Sequence, residues 1–137
     1  MENNPLVSIC ITFFNAEKFI KRALDSSLGQ TYKNIEVVLL DDDSSDKSRE
    51  IAMDYAARDP RVKYFRNKER TGTLNSLIKT VDLAKGDFVF WPGVDDWLSR
   101  DFAEKGVRHF LENPDIAGVA PNLITLEARG DRFEYLN

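Results

Sequence analysis

Four short runs of β-branched and aromatic residues recur along the chain, at residues 6–13, 35–40, 62–65 and 88–91, with helix-length amphipathic stretches between them. Each run has the composition and length of a strand rather than a helix. Parallel strands need a crossover between them, and crossovers of this length are helical. The pattern therefore predicts an α/β fold, a three-layer and mostly parallel sheet with helices on both faces. Helices are expected at residues 16–28, from 45 or 46 to about 58, at 73–84 and at 99–113. Phe19, Ile20, Ala23, Leu24 and Leu28 share one face of the first, and Phe102, Val107, Phe110 and Leu111 one face of the last. Asn15 is placed to cap the first helix, Ser45 or Asp46 the second, and Lys85-Gly86 to close the third. Weaker strands are expected at 116–119 and 123–126, with residues 131–137 as an edge.

Two of the strong runs lead into carboxylates. The second meets Asp41-Asp42-Asp43 and Asp46; the fourth reaches Asp95-Asp96 through a short loop. In an open α/β sheet ligands bind outside the carboxyl ends of the strands near a switch point, so two acidic strand ends converge on one crevice. Carboxylates gathered there repel one another unless a cation lies between them. Such a pattern points to a metal-assisted site for a phosphorylated ligand.

The composition narrows the class. At 137 residues, 42% hydrophobic and 31% charged, the chain suits a single globular domain. A net charge of -4 without a dense Lys/Arg tract argues against nucleic acid as a partner. Cys10, the one cysteine, forms no internal disulfide and reads as a small buried hydrophobe in a reducing compartment. No apolar stretch approaches the roughly 18 residues that span a bilayer, and residues 1–5 lack the basic and apolar parts of a secretory leader. The expected location is cytoplasmic or at the cytosolic face of the membrane.

Five ordered blocks then stand out: Val7-Ser8-Ile9-Cys10-Ile11-Thr12-Phe13-Phe14-Asn15, Gln30-Thr31-Tyr32-Lys33-Asn34-Ile35-Glu36, Leu40-Asp41-Asp42-Asp43-Ser44-Ser45-Asp46, Ala84-Lys85-Gly86-Asp87-Phe88 and Asp95-Asp96-Trp97-Leu98. In order and spacing the chain resembles family 2 glycosyltransferases. That resemblance implies a GT-A, Rossmann-like fold lacking most of the acceptor half. It also implies a nucleotide-diphosphate sugar as donor, Mn²⁺ or Mg²⁺ as cofactor, and transfer with inversion.

By the same resemblance, Thr12 and Phe14 line the base pocket, Phe14 by stacking and Thr12 by polar contact, with Asn15 beside them. Asp42 accepts from the ring N–H of a uracil-like base, with Asp41 adjacent, and Asp95 and Asp96 hold the metal at the donor diphosphate. Loop and helix-cap work suits Asp41, Asp43 and Asp46 as well. The family's common pattern carries an acid two residues before the Asp95-Asp96 pair; this chain has Gly93, so one metal or ribose contact is missing. Arg66, Lys68 and Arg70 follow the third run, within reach of donor phosphates, though solvated loop charges account for them equally. The turn Thr71-Gly72-Thr73 fits the loop before the third helix, with Asn75 as the one trace of the usual signature there. His109, mid-helix, is given no catalytic role.

No catalytic residue is assigned. The carboxylate that takes the acceptor's proton belongs to the second half of such proteins, and Asp115, Glu127, Asp131 and Glu134 match no motif of it. The expectation is one C-terminally truncated domain over residues 1–137 that binds donor and transfers sugar poorly. Its expected partners are a nucleotide-diphosphate sugar, most readily a UDP-sugar, an unknown acceptor and, through uncovered apolar surface, a second copy in a homodimer. One alternative is a non-catalytic nucleotide-sugar binding module. A receiver-like phospho-acceptor domain is the other, but its acidic pair would end the first strand, where this chain has Thr12-Phe13-Phe14-Asn15.

Overall fold

The β-branched runs form strands and the stretches between them helices. A computed structural model describes residues 4–118 and, as backbone, 126–129 and 132–135. In chain order the elements are β1 (Val7–Phe13), α1 (Ile20–Leu28), β2 (Ile35–Asp41), α2 (Ser48–Arg58), β3 (Val62–Arg66), α3 (Thr73–Leu83), β4 (Phe88–Phe90), α4 (Phe102–Glu112), β5 (Leu126–Arg129) and β6 (Arg132–Tyr135).

The main sheet has the order β3-β2-β1-β4 and is parallel throughout. The chain steps from β1 to β2 to β3 in one direction and then crosses back to β4, so the switch point lies between β1 and β4. Odd-numbered residues of the two central strands, Val7, Ile9, Ile11 and Phe13 with Ile35, Val37 and Leu39, pack with Ile20, Ala23 and Leu24 of α1, Ala52 of α2 and Val107 of α4. Each large side chain so enclosed contributes about 1.5–3 kcal/mol relative to exposure. The opposite face of β1 meets α3, where the Cys10 thiol donates to the Thr80 carbonyl at 3.7 Å. Burial pushes that thiol up to about 12, which keeps it an inert hydrophobe.

Several local expectations are corrected. The first helix begins at Ile20, after a turn, and Asn15 does not cap it. Asn15 adopts a left-handed backbone (φ 48°), and its Oδ1 accepts instead from Ser45 N at 2.8 Å and Asp46 N at 3.3 Å. The N-cap position of the second helix is Lys47 rather than Ser45 or Asp46; Asp46, one residue earlier, still meets the helix start, its Oδ1 accepting the Ser48 N–H at 2.9 Å. Gly86 is no left-handed cap; Gly72 is the glycine with positive φ among the described residues. A Cβ on Gly86 would lie 2.6 Å from Ser8 N and 2.8 Å from Leu6 O, so the residue is there because two backbones touch. The expected strand at 116–119 is absent over residues 116–118, with 119 outside the described residues. Of the strand expected at 123–126, Leu126 opens β5, and 123–125 lie outside the described residues. Part of the stretch taken for an edge is β6, which pairs antiparallel with β5 in a separate hairpin.

β4 is also shorter than the run predicts. It pairs with β1 only from Val7↔Phe88 to Ile9↔Phe90, and Pro92, without an N–H, cannot extend the ladder. β1 continues to Phe13, so its upper flank stands open toward the loop that carries Asp95 and Asp96.

Candidate functional site

At the carboxyl edge of the sheet, Phe13, Asp41 and Arg66 stand at one level, in register across β1, β2 and β3. Parallel pairing therefore brings Thr12, Phe14, Asn15, Asp41, Asp42 and Arg66 to one rim, beside the switch point and the acidic loop after β4. Thr12 is half-buried, while Phe14, Asn15, Arg70, Asp95 and Asp96 are exposed.

Asp42 is the most heavily bonded of them. Its Oδ1 accepts from Asn67 Nδ2 (2.8 Å), Thr71 N (2.8 Å) and Thr71 Oγ1 (3.1 Å), and its Oδ2 accepts from Gly72 N at 2.8 Å. Burial by itself would raise this carboxyl, but the Thr71 N–H, the Asn67 amide, the Gly72 N–H and the Ser76 hydroxyl outweigh it and hold Asp42 well below the usual carboxylate range. Oδ2, with one bond, keeps acceptor capacity for a further donor. The turn that supplies two of these donors needs φ +89° at Gly72, and there a glycine is required.

Asp41 is fully buried and spent inside the protein: its carboxylate accepts from Ser44 N at 2.7 Å and from the Tyr64 hydroxyl at 2.9 Å. Burial, then the bond to Asp41, raises that phenol to about 12. Arg66 donates to Asp43 Oδ1 at 2.6 Å, and its Nε lies 3.8 Å from Asp41. Asp43 itself is left-handed at φ 69°, a conformation that Asp tolerates better than most residues. Asp43, Arg66, Asn67 and Lys68 line an open cleft of about 410 Å³. The Arg70 guanidinium lies over the Phe14 ring, 3.9 Å from its centroid. Phe14 thus already offers a face to a flat cation.

Asp95 and Asp96 are exposed in the loop after β4, with Asp96 Oδ2 accepting the Gly93 N–H at 2.9 Å. Two adjacent hard oxygen donors fit a divalent ion that completes its shell with phosphate and water. Among the described residues no group of three or more His, Cys, Asp or Glu side chains is gathered as a preformed cage.

The sequence matches glycosyl transferase family 2 over residues 8–134. The chain belongs to that family. A Haemophilus influenzae protein described as an uncharacterized glycosyltransferase is 36% identical over 111 residues, 81% of this chain and 44% of its own length. Among solved structures, S. aureus TarS 1–349 in complex with UDP-GlcNAc superposes with a TM-score of 0.74 at 23% identity, covering 79% of this chain and 32% of that one. Mannosyltransferase PcManGT from Pyrobaculum calidifontis, in complex with GDP-Man and Mn²⁺, gives 0.72 at 24% identity, with 80% and 33% coverage in the same sense. The fold is therefore GT-A, and this family 2 chain spans less than half the length of these relatives.

Sequence reasoning missed the residue around which the Asp42 site is organised. Asn67, 4% exposed, donates to Asp42 and accepts from Lys79 Nζ at 2.7 Å through its own Oδ1. Its one sequence signal is position, directly after a strand that ends at the rim.

Proposed function

We propose that this chain is the donor-binding domain of a glycosyltransferase that transfers a sugar from a nucleotide-diphosphate sugar, most readily a UDP-sugar, to an acceptor hydroxyl with inversion. What supports this reading is the topology: Phe14 and Asp42 directly follow the carboxyl ends of β1 and β2, and the loop with Asp95 and Asp96 follows β4, the neighbour of β1 across the switch point. Phe14 gives the base a face to stack on, displacing or sandwiching with Arg70, and Thr12 a polar contact beside it. Asp42, held charged by its bonds, accepts the base N–H at Oδ2. Asn15 and Asp41 fix the rim from within, and Arg66 and Arg70 bring positive charge toward the phosphates.

Asp95 and Asp96 would hold Mn²⁺ or Mg²⁺, which stabilises the charge that gathers on the diphosphate as it leaves. Inversion follows when the acceptor oxygen attacks from the side opposite that leaving group. The base that takes the acceptor's proton is assigned to no residue here, and the acceptor site with it. Gly93 favours a second reading, a nucleotide-sugar binding module without turnover.

The free buried thiol of Cys10 suits a cytoplasmic place or one at the cytosolic face of a membrane. No helix of the described residues is long and apolar enough to cross a membrane. Exposed Trp91, Leu111 and Ile116 favour self-association into a homodimer, which sedimentation at rising concentration checks.

Calorimetric titration with UDP, with and without Mn²⁺, tests the reading. Binding strengthened by Mn²⁺, and lost in Asp42→Asn and in Asp95→Asn/Asp96→Asn, is the expected result. A parent chain that binds neither UDP nor GDP would sink it.

A further inference from the structure

We propose that Arg22 is a positioning residue for the acidic loop, fixing the main chain from which Asp95 and Asp96 reach the cation; this rests on the donor-site reading above. Arg22, Ser26 and Gln30 are spaced four apart on and just after α1, so they form one stripe along the helix, about 6 Å between neighbours. Each takes hold of the segment that follows β4. Arg22 Nη2 donates to the Asp95 carbonyl at 2.9 Å. Ser26 Oγ accepts the Leu98 N–H at 3.1 Å. Gln30, fully buried, donates to the Ser99 carbonyl and accepts the Ala103 N–H, both at 2.8 Å.

All four bonds go to backbone atoms, so the stripe sets the path of the loop whatever side chains the loop carries. Ser26 and Gln30 seat its far end against the core. Of the three, Arg22 meets the loop at the acidic pair itself, through the Asp95 carbonyl, and again one residue past the pair, where its guanidinium lies 4.4 Å from the centroid of the Trp97 ring. Asp95 and Asp96 are thereby gripped on both sides, at the carbonyl of the first and at the side chain that follows the second. β4 has already left the sheet at Phe90, so no ladder holds the chain there. A side chain from α1 supplies what the missing strand would.

Charge and position predict opposite signs for removal of Arg22. A cation beside two carboxylates repels a metal ion, so by Coulomb's law alone its loss should tighten metal binding. If Arg22 positions the loop, its loss should weaken metal binding instead.

The test compares the parent with Arg22→Met, which keeps an unbranched apolar chain but neither donor nor charge, and Arg22→Lys, which restores one donor and the charge. Mn²⁺ affinity is measured by calorimetry on the UDP-saturated protein, UDP binding is measured without metal, and amide exchange is followed over residues 93–98. Arg22→Met should weaken Mn²⁺ binding about tenfold, the scale on which outer residues orient metal ligands. Arg22→Lys should recover most of it, metal-free UDP binding should be unchanged in both, and exchange at the loop should quicken in the Met variant. Mn²⁺ affinity equal to or above the parent's in Arg22→Met overturns the proposal. If the parent binds no Mn²⁺ with UDP, the donor-site reading fails separately; exchange then decides, faster in Arg22→Met upholding the positioning role and unchanged overturning it.

Discussion

Asp42 combines a burial that opposes its charge with a set of donors that demands it. The bonds win, so the folded state holds the proton more weakly than the unfolded chain, whose carboxyl titrates near about 3.9. The stability that results is fully present above about pH 4 and is lost as the pH falls through the unfolded and then the folded value. Chemical unfolding followed from pH 6 to pH 2 should show a steep loss below pH 4, and Asp42→Asn should flatten it. At neutral pH that substitution turns an amide N–H₂ toward existing donors and should cost about 1–3 kcal/mol, read as a lower urea midpoint. Gly93 carries the opposite kind of prediction. A Cβ there would lie 2.8 Å from Asp95 Oδ1 and 3.0 Å from Asp96 Oδ2, both the ends of exposed side chains that can swing away. Gly93→Asp should therefore be accommodated, and by adding a third carboxylate should tighten Mn²⁺-dependent UDP binding about tenfold. Unaltered affinity in titration calorimetry would show that position 93 does not face the ion.

Among the elements, the two ends of the sheet do different work. At the amino ends, Ser8 Oγ donates to Glu36 Oε1 at 2.6 Å, and Glu36 and Ser8 in turn accept from the Lys85 and Gly86 N–H groups at 2.7 and 2.8 Å. This network docks the entry of β4 onto β1 and β2, and it explains the Lys85-Gly86-Asp87 block without any ligand. Gly86→Ala meets fixed backbone rather than a flexible tip, so it should cost about 1–3 kcal/mol in unfolding free energy. UDP affinity should not change, because the proposed donor site lies at the opposite edge; a large loss of affinity with little loss of stability would contradict that division. α3 spans the two ends, with Ser76 in the Asp42 network and Thr80 against Cys10. Here sequence and structure part for a physical reason: Asn15 and Gly86 carry the usual signatures of helix caps, yet tertiary neighbours claim their bonds.

For the molecule as a whole, a ligand that binds only the folded state raises its stability by mass action, by about 2.7 kcal/mol at a hundred times its dissociation constant. UDP and Mn²⁺ together should raise the melting temperature more than either alone, and the rise should vanish in Asp95→Asn/Asp96→Asn. Equal shifts from UDP with and without metal would separate nucleotide binding from metal binding. The alternation of apolar runs with amphipathic stretches determined the parallel α/β architecture, because strand and helix periods are local properties and parallel strands need crossovers. Asp42 and Phe14 directly follow the ends of neighbouring parallel strands, so the same reasoning brings those two to one edge of the sheet, while Asp95 and Asp96 lie in the loop beyond β4. What the sequence left open was which of these groups face a ligand and which face the protein. Asp41 and Asp42 are neighbours of one chemistry, yet Asp41 is spent on Ser44 and Tyr64 while Asp42 keeps an open acceptor on Oδ2. That difference, like the work of Asn67 and Arg22, arises from contacts between residues far apart in the chain, and only the packing of one element against another decides it.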